Sequence, residues 1–323
     1  MSGFVGEQAA RLRQLLPPLD QAESVFTDPL LTAYRSHYDL DFSGVAPGLE
    51  QRFGRLHSGE FELAGQQFVL PESRARGTAI LVHGYFDHSG LYGHLIRHCL
   101  RQGLNVLIFD LPGHGLSSGK AASIDSFSRY CQALEDCLSM AGNQKLARPW
   151  FAIGQSTGGA VLMDSLLHNS LQQRFNIASY VLLAPLLRPR GWAWTHWLFM
   201  ITRWFLPSLR RGFGNNSHDE AFAEFLRNHD PLQSRVIPRD WVLAMVDYQI
   251  RFRLASSCPQ PLTIVQGTED STVDWAYNLP RIEEKFPGTR SQLIAGARHH
   301  LVNESSAIRA KIFAVMDKFL IEH

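Results

Sequence analysis

The stretch Trp150-Phe-Ala-Ile-Gly154-Gln-Ser156-Thr-Gly158-Gly-Ala-Val-Leu-Met163 places a serine between a short apolar run and a longer one. The first run is typical of a buried strand, and the residues from Gly158 onward are typical of a helix. The serine therefore falls at a tight strand-to-helix turn, where small residues two positions before and after it let a strained backbone fit. This context predicts that Ser156 is a nucleophile.

A second match to the same five-residue pattern, Gly115-Leu-Ser117-Ser-Gly119, shows that the pattern alone is weak evidence. This copy follows Pro112-Gly-His-Gly and precedes the polar residues 120–123. It therefore lacks both the preceding strand and the following helix that a nucleophilic serine needs. We interpret Ser117 as a loop residue.

Short apolar runs alternate with longer amphipathic runs on both sides of Ser156. Such alternation is typical of βαβ units, and continuously apolar strands indicate a parallel sheet that is covered on both faces. Residues 53–70, with Gly59 and Gly65 as turns, predict two or three antiparallel edge strands. The predicted fold class is α/β, with a mostly parallel central sheet flanked by helices. Its strands are 78–82, 105–109, 150–153, 177–183, 261–265 and 291–294, and its helices are 91–101, 124–140, 158–171, 275–285 and 305–320.

The alternation stops after Pro189 and resumes at Pro261, which indicates an insertion. We predict an N-terminal helical lead-in over residues 1–45, a core formed by 46–185 and 256–323, and an inserted cap over 186–255. The cap range contains five of the seven tryptophans, ten arginines, no lysine and six acidic residues. Its net charge is therefore +4 (ten minus six), and the rest of the chain carries −3 of the total of +1.

The composition excludes several classes of protein. The 31 Lys and Arg residues balance 30 Asp and Glu residues, so a broad nucleic-acid surface is not expected. Four cysteines without a C-x-x-C pair predict neither a disulfide framework nor a zinc site, and Cys131 and Cys137 are interpreted as buried thiols of a helix. Glu7 and two nearby arginines interrupt the apolar run that a signal peptide needs, and no apolar stretch reaches the roughly 18 residues of a membrane span. We expect a cytoplasmic location.

A serine hydroxyl needs a base, and the base needs a carboxylate to orient it. The strand at 262–266 runs into Gly267-Thr-Glu-Asp, and the strand at 291–294 runs into Gly296-Ala-Arg-His-His. Ligand sites form at the carboxyl ends of parallel strands, so both loops are placed to supply these groups. The predicted acid is Asp270, with Glu269 and Asp274 as alternatives, and the base is either His299 or His300.

Acyl transfer also needs N–H donors for the oxyanion. One candidate is the backbone N–H of Thr157, and the other is that of Tyr85 in the loop after strand 78–82. The same loop carries His83 and His88, but no third ligand stands at a suitable spacing. We therefore favour histidines that brace the loop over a metal site, and we expect neither a metal nor a cofactor.

Taken together, these motifs resemble the α/β-hydrolases, and within them the monoacylglycerol lipase and lysophospholipase branch. The resemblance runs from about Gly77 to the C-terminus and rests on His83-Gly84 with Asp87-His88-Ser89 and Tyr92, Pro112-Gly-His-Gly-Leu-Ser117, Gly154-Gln-Ser-Thr-Gly-Gly159, Gln266-Gly-Thr-Glu-Asp270, and Gly296-Ala-Arg-His299 with Leu301 and Glu304. It implies Ser156 as nucleophile, Asp270 as acid and His299 as base, with Tyr85 and Thr157 as oxyanion donors. Two departures concern substrate size: Gln155 and Thr157 replace the family's frequent His and Met, and Tyr85 is bulky where the family usually has a small residue.

The resemblance implies an α/β-hydrolase fold and a serine hydrolase that cleaves esters of single-acyl lipids through an acyl-enzyme. It also implies that the insertion is a cap. The cap tryptophans either line an acyl pocket or only pack the cap onto the core, and five arginines without an acid in 186–213 suggest peripheral contact with anionic lipid. The cap tryptophans are Trp192, Trp194, Trp197 and Trp204.

A small-ester carboxylesterase, an amidase, an acyltransferase and a non-catalytic ligand-binding homologue remain alternatives.

Overall fold

The computed structural model describes residues 4–22, 28–192, 208–212 and 214–320. Eight of its strands form one sheet, and two short ones pair separately. The strands are β1 (Glu50–Ser58), β2 (Phe61–Val69), β3 (Gly77–Val82), β4 (Leu104–Phe109), β5 (Trp150–Gln155), β6 (Ser179–Leu183), β7 (Ser208–Arg210), β8 (Val236–Pro238), β9 (Thr263–Gly267) and β10 (Arg290–Ile294).

Helices flank this sheet, and each predicted helix is present with ends shifted by a few residues. For example, the helix predicted from residue 124 begins at Phe127, because the Ser126 side chain caps it by accepting the N–H of Ser128 at 3.3 Å. The α-helices in the described residues are α1 (Gly6–Leu15), α2 (Pro29–His37), α3 (Gly93–Arg101), α4 (Phe127–Asn143), α5 (Thr157–His168), α6 (Leu171–Phe175), α7 (Glu220–Asn228), α8 (Arg239–Leu254), α9 (Trp275–Lys285) and α10 (Ser306–Leu320). Two 3₁₀ helices span Ser89–Tyr92 and Leu301–Asn303.

The sheet has the strand order β1-β2-β4-β3-β5-β6-β9-β10. Only β2 runs antiparallel to its two neighbours, and every other pairing is parallel. Strands β3, β4, β5 and β6 are buried along their whole length, as their continuously apolar sequences require. The predicted fold class is confirmed.

The edge hairpin corrects one detail of the sequence interpretation. Gly59 lies in the turn between β1 and β2, as predicted, but Gly65 lies inside β2, where it pairs with Gly54. A Cβ on Gly54 would lie 2.5 Å from Cα of Leu19, and a Cβ on Gly65 would lie 2.8 Å from the Leu19 side chain. These two glycines therefore let the N-terminal segment lie directly against the sheet.

Apolar side chains cover both faces of the sheet. One cluster joins the sheet to α4, α5 and α8, and the other joins it to α1, α2, α3 and α10. Cys131 and Cys137 are buried free thiols of α4, as predicted. No helix in the described parts of the chain has the length and apolar character needed to cross a membrane.

The predicted cap range contains β7, β8, α7 and α8 between the ends of β6 and β9. Helix α7 has no fully buried residue, whereas α8 packs on the core, where Tyr248 stacks on Phe127 of α4 with ring centroids 4.7 Å apart. The division of the chain into lead-in, core and cap stays a prediction.

Candidate active site

Ser156 joins β5 to α5 in a conformation that few residues other than glycine adopt, with φ of 52° and ψ of −109°. A Cβ on Gly154 would lie 2.6 Å from the carbonyl carbon of Gly158, and one on Gly158 would lie 2.0 Å from the carbonyl oxygen of Val82. Both glycines are therefore required for strand and helix to approach this closely. The Ser156 N–H donates to the Leu183 carbonyl at 2.8 Å, which ties the turn to β6.

The structure brings Ser156, His299 and Asp270 together in one hydrogen-bonded series. His299 Nδ1 lies 2.7 Å from Asp270 Oδ2, and His299 Nε2 lies 3.0 Å from Ser156 Oγ. With the Nδ1 proton donated to Asp270, Nε2 accepts the serine hydroxyl proton. These contacts have the geometry that general-base activation of a serine requires. The catalytic roles of the three residues stay predictions.

The electrostatics of this series favour an ion pair when a proton moves to His299. Burial by itself lowers the pKa of His299, but the Asp270 carboxylate and its hydrogen bond raise the pKa above the ordinary value. Burial likewise raises the pKa of Asp270, but the adjacent His299 and hydrogen bonds from Gln266 and the Thr272 N–H bring it below the ordinary value. Asp270 therefore stays ionised beside the imidazole.

The predicted oxyanion donors lie on either side of Ser156. Thr157 is the first residue of α5, so its N–H lies in the first helical turn, where no intrahelical carbonyl is available and the helix dipole favours negative charge. A Cβ on Gly84 would lie 3.4 Å from Cβ of Ser156, so the loop that carries Tyr85 packs directly against the serine. The donor roles of Tyr85 and Thr157 stay predictions.

The bulky Tyr85 side chain packs into a wall of the site. Its ring stacks on Trp241 with centroids 3.8 Å apart, and its hydroxyl donates to the Ala122 carbonyl at 2.7 Å. These contacts hold the Tyr85 ring in place. The predicted oxyanion donor is the backbone N–H of this same residue.

The two alternative acids lie elsewhere. The Asp274 carboxylate accepts a hydrogen bond from Arg188 Nε at 3.1 Å. Glu269 is half exposed and lies 3.6 Å from His218 Nε2. Asp270 is thus the acid that the fold places against the His299 ring.

His300 and Ser117 also have partners of their own. His300 Nε2 lies 3.1 Å from Asp87 Oδ1. The Ser117 hydroxyl accepts the N–H of Ala64 at 2.9 Å and donates to the Asp110 carbonyl. Ser117 therefore braces a loop, in agreement with its interpretation from the sequence.

The histidines of the loop after β3 hold neighbouring segments. His83 Nδ1 donates to the Gly84 carbonyl at 2.7 Å, and its Nε2 accepts the Leu111 N–H at 2.8 Å. His88 Nε2 lies 3.1 Å from Asp230 Oδ2. Across the described ranges, no three His, Cys, Asp or Glu residues are grouped so that they could hold a metal ion.

A cavity of about 430 Å³ opens beside Ser156 and His299. Its size falls in the range of small-molecule sites. Trp192 lines it, and the other three predicted tryptophans, Trp194, Trp197 and Trp204, lie outside the described residues. Further apolar lining comes from Leu186, Leu209, Phe222, Leu226, Ile237, Trp241 and Val242.

Most of this lining is not predicted from the sequence. Leu209 and Ile237 belong to β7 and β8, which have three residues each and are too short for a periodic signal. Trp241 does have a signal in the sequence, because it is the fifth tryptophan of the insertion.

The chain matches the model of a known protein family. A model described as serine aminopeptidase, S33 (Hydrolase_4), matches residues 73–306, which is more than half of the sequence. The chain belongs to this family. The predicted membership of the α/β-hydrolases, in the monoacylglycerol lipase and lysophospholipase branch, is confirmed.

Individual relatives of this α/β-hydrolase are distant. It is 27% identical to the monoglyceride lipase of Homo sapiens over 76% of this chain and 83% of that protein. It is 32% identical to the monoacylglycerol lipase of Mycolicibacterium smegmatis over 92 residues, 28% of this chain and only 33% of that protein. The crystal structure of a soluble monoglyceride lipase variant from Saccharomyces cerevisiae, in complex with a substrate analog, has a TM-score of 0.70 and 18% identity, over 83% of this chain and 94% of that one. These similarities establish the α/β-hydrolase fold.

Proposed function

We propose that this α/β-hydrolase cleaves carboxylic esters of single-acyl lipids, such as a monoacylglycerol or a lysophospholipid, through an acyl-enzyme on Ser156. The observation that carries the proposal is the Ser156–His299–Asp270 hydrogen-bonded series at the wall of an apolar cavity. A serine activated in this way attacks acyl carbonyl groups. The apolar wall favours a substrate with a hydrocarbon chain, because burying that chain releases water from both surfaces.

In the proposed mechanism, Ser156 Oγ attacks the ester carbonyl carbon while His299 Nε2 takes the hydroxyl proton. The N–H groups of Tyr85 and Thr157 stabilise the resulting oxyanion. The intermediate collapses, the ester C–O bond breaks, and the leaving alcohol takes the proton from His299. Water then attacks the acyl-enzyme with His299 as base again, which releases the fatty acid and restores the serine. The residues need no metal or cofactor for these steps.

The predicted insertion has a proposed role as a cap. Trp192, Leu209 and Ile237 all come from the predicted range 186–255 and line the cavity that contains Ser156. The arginines and tryptophans of this range support peripheral contact with anionic lipid. Such contact and the cytoplasmic location stay predictions.

The names of the relatives support hydrolysis of a lipid ester, and the description of the family supports an alternative activity. The human relative is a monoglyceride lipase, and the Haemophilus influenzae relative, 22% identical over 85% of this chain, is a probable lysophospholipase L2. The matching family model is described as an aminopeptidase, so an amidase with the same three residues is the second candidate. An acyltransferase would share the acyl-enzyme and use an alcohol in place of water.

A substrate and product panel tests the proposal. Purified protein is incubated with monoacylglycerols and lysophospholipids of one chain length, with p-nitrophenyl butyrate, and with matched acyl amides. We expect lipid ester hydrolysis to exceed amide hydrolysis, with free fatty acid as the product even when glycerol is added. Faster amide cleavage, or transfer of the acyl group to glycerol as the main reaction, would favour the corresponding alternative.

A further inference from the structure

Arg211 is a cation in the wall of the otherwise largely apolar cavity. Its guanidinium carbon lies 3.9 Å from the centroid of the Phe86 ring, and its Nη1 donates to the Gln233 side chain and to the Ser234 carbonyl. Burial lowers the pKa of Arg211 to about 10, so the guanidinium remains charged at neutral pH. These contacts hold a positive charge at a defined place in the wall.

The contact with Phe86 places Arg211 at the loop that packs on Ser156. Phe86 directly follows Tyr85, the predicted oxyanion donor, and this loop touches Ser156 through Gly84. In a single-acyl lipid, the headgroup is joined to the alcohol side of the ester, only a few bonds from the reacting carbonyl. A cation in this wall favours a negatively charged headgroup over a neutral one, because opposite charges attract strongly where little water lies between them.

Positively charged side chains outnumber negatively charged ones among the described residues that line the cavity. Among the described residues that line it, Asp87 is the only acid, whereas three arginines line it: Arg190, Arg211 and Arg227. The two Asp87 carboxylate oxygens lie 3.1 Å from His300 Nε2 and 3.0 Å from the Tyr92 hydroxyl. The site therefore favours a ligand with net negative charge.

We propose that the preferred substrate is a single-acyl lipid whose headgroup carries a phosphate, and that Arg211 is the residue that selects it. This inference rests on the proposed function and narrows it. A guanidinium and a phosphate carry opposite charges, and a contact between such groups is stronger than one between neutral groups. The uncharged glycerol of a monoacylglycerol cannot form a contact of this kind.

A matched pair of substrates tests the inference. 1-Decanoylglycerol and 1-decanoylglycerol 3-phosphate differ only in the phosphate, and both are used below the concentration at which they aggregate. We expect wild-type kcat/KM to be at least about tenfold higher for the phosphate ester. In Arg211→Gln, the ratio of the two kcat/KM values should fall at least about tenfold, mainly through the KM of the phosphate ester.

Arg210→Gln is the matched control, because Arg210 is the exposed neighbour in β7 and does not line the cavity. It should keep the wild-type ratio. Arg211→Lys, which keeps the charge without the planar fork, should fall between the wild type and Arg211→Gln. A ratio that is unchanged in Arg211→Gln, or that falls equally in Arg210→Gln, would overturn the inference.

A measurement on the wild type keeps the test independent of variant folding. Glycerol 3-phosphate should inhibit p-nitrophenyl butyrate hydrolysis at a concentration at least about tenfold lower than glycerol does. Equal inhibition by the two compounds, or wild-type preference for the neutral lipid, would refute selection by charge and leave the proposed hydrolase function intact. If no ester is hydrolysed at all, the proposed function itself fails.

Discussion

At the scale of single residues, His299 depends on one hydrogen bond for its orientation and its tautomer. Asp270 holds the proton on Nδ1, which leaves Nε2 facing the Ser156 hydroxyl. Four contacts hold Asp270 in turn, since its oxygens also lie near Gln266 and the N–H groups of Thr272 and Val273. The orientation of the base is thus built into the loop after β9.

We predict that Asp270→Asn lowers kcat for ester hydrolysis by about 10⁴-fold, the loss that the same change causes in a serine-protease triad. An asparagine would favour the wrong tautomer of His299. Steady-state kinetics with p-nitrophenyl butyrate checks this. Asp274→Asn is the control and should lose little activity, because that carboxylate binds Arg188 instead. Equal losses in the two variants would contradict the assignment of the acid.

The pH dependence of the reaction is a second prediction for these residues. Asp270 raises the pKa of His299 above its ordinary value of 6.5, and only neutral His299 can act as the base. Activity should therefore fall as the pH drops, with the acid limb of kcat/KM centred above pH 6.5. In Asp270→Asn this limb should move to lower pH. A wild-type limb centred below pH 6.5 would contradict the ion-pair description of the site.

At the scale of elements, the turn from β5 to α5 depends on glycines at defined positions. We predict that Gly158→Ala destabilises the protein by about 1–3 kcal/mol or more, because the new Cβ would meet the Val82 carbonyl oxygen. Ester hydrolysis should fall with it, since Ser156 would move. Thermal melting and the p-nitrophenyl butyrate assay check both effects.

Gly142→Ala provides the matched control in α4. Its Cβ would meet only the Trp150 ring at an ordinary 3.7 Å, and alanine is a better helix former than glycine. This variant should melt at the same temperature as the wild type or slightly above it. If Gly158→Ala is as stable and active as Gly142→Ala, the described approach of strand and helix is wrong.

The elements also show why some features are predictable from sequence. Strands such as β3 and β4 are buried on both faces, so burial forces a continuously apolar run that stands out from its surroundings. The prediction that Gly65 lies in a turn is wrong, because glycine is permitted both in turns and where another backbone approaches closely. The approach of Leu19, which decides between the two, is a contact between distant parts of the chain.

At the scale of the whole molecule, the candidate site is assembled from loops that are far apart in sequence. The motifs around Ser156, Asp270 and His299 could be predicted, because each follows a strand of one parallel sheet and the carboxyl ends of such strands meet at one edge. The cavity wall could not be predicted from the sequence, since Leu209 and Ile237 reach it from short strands whose positions depend on tertiary packing. The charge of the site, including Arg211, follows from that same packing.

The central claim is that Ser156 is the nucleophile, and the rate of p-nitrophenyl butyrate hydrolysis by Ser156→Ala tests it most directly. We predict a loss of several orders of magnitude, on the order of 10⁴-fold or more, with an unchanged melting temperature. Ser117→Ala, the serine of the second matching motif, should retain its activity while it remains folded. A wild-type rate in Ser156→Ala, together with loss of activity in folded Ser117→Ala, would contradict the account.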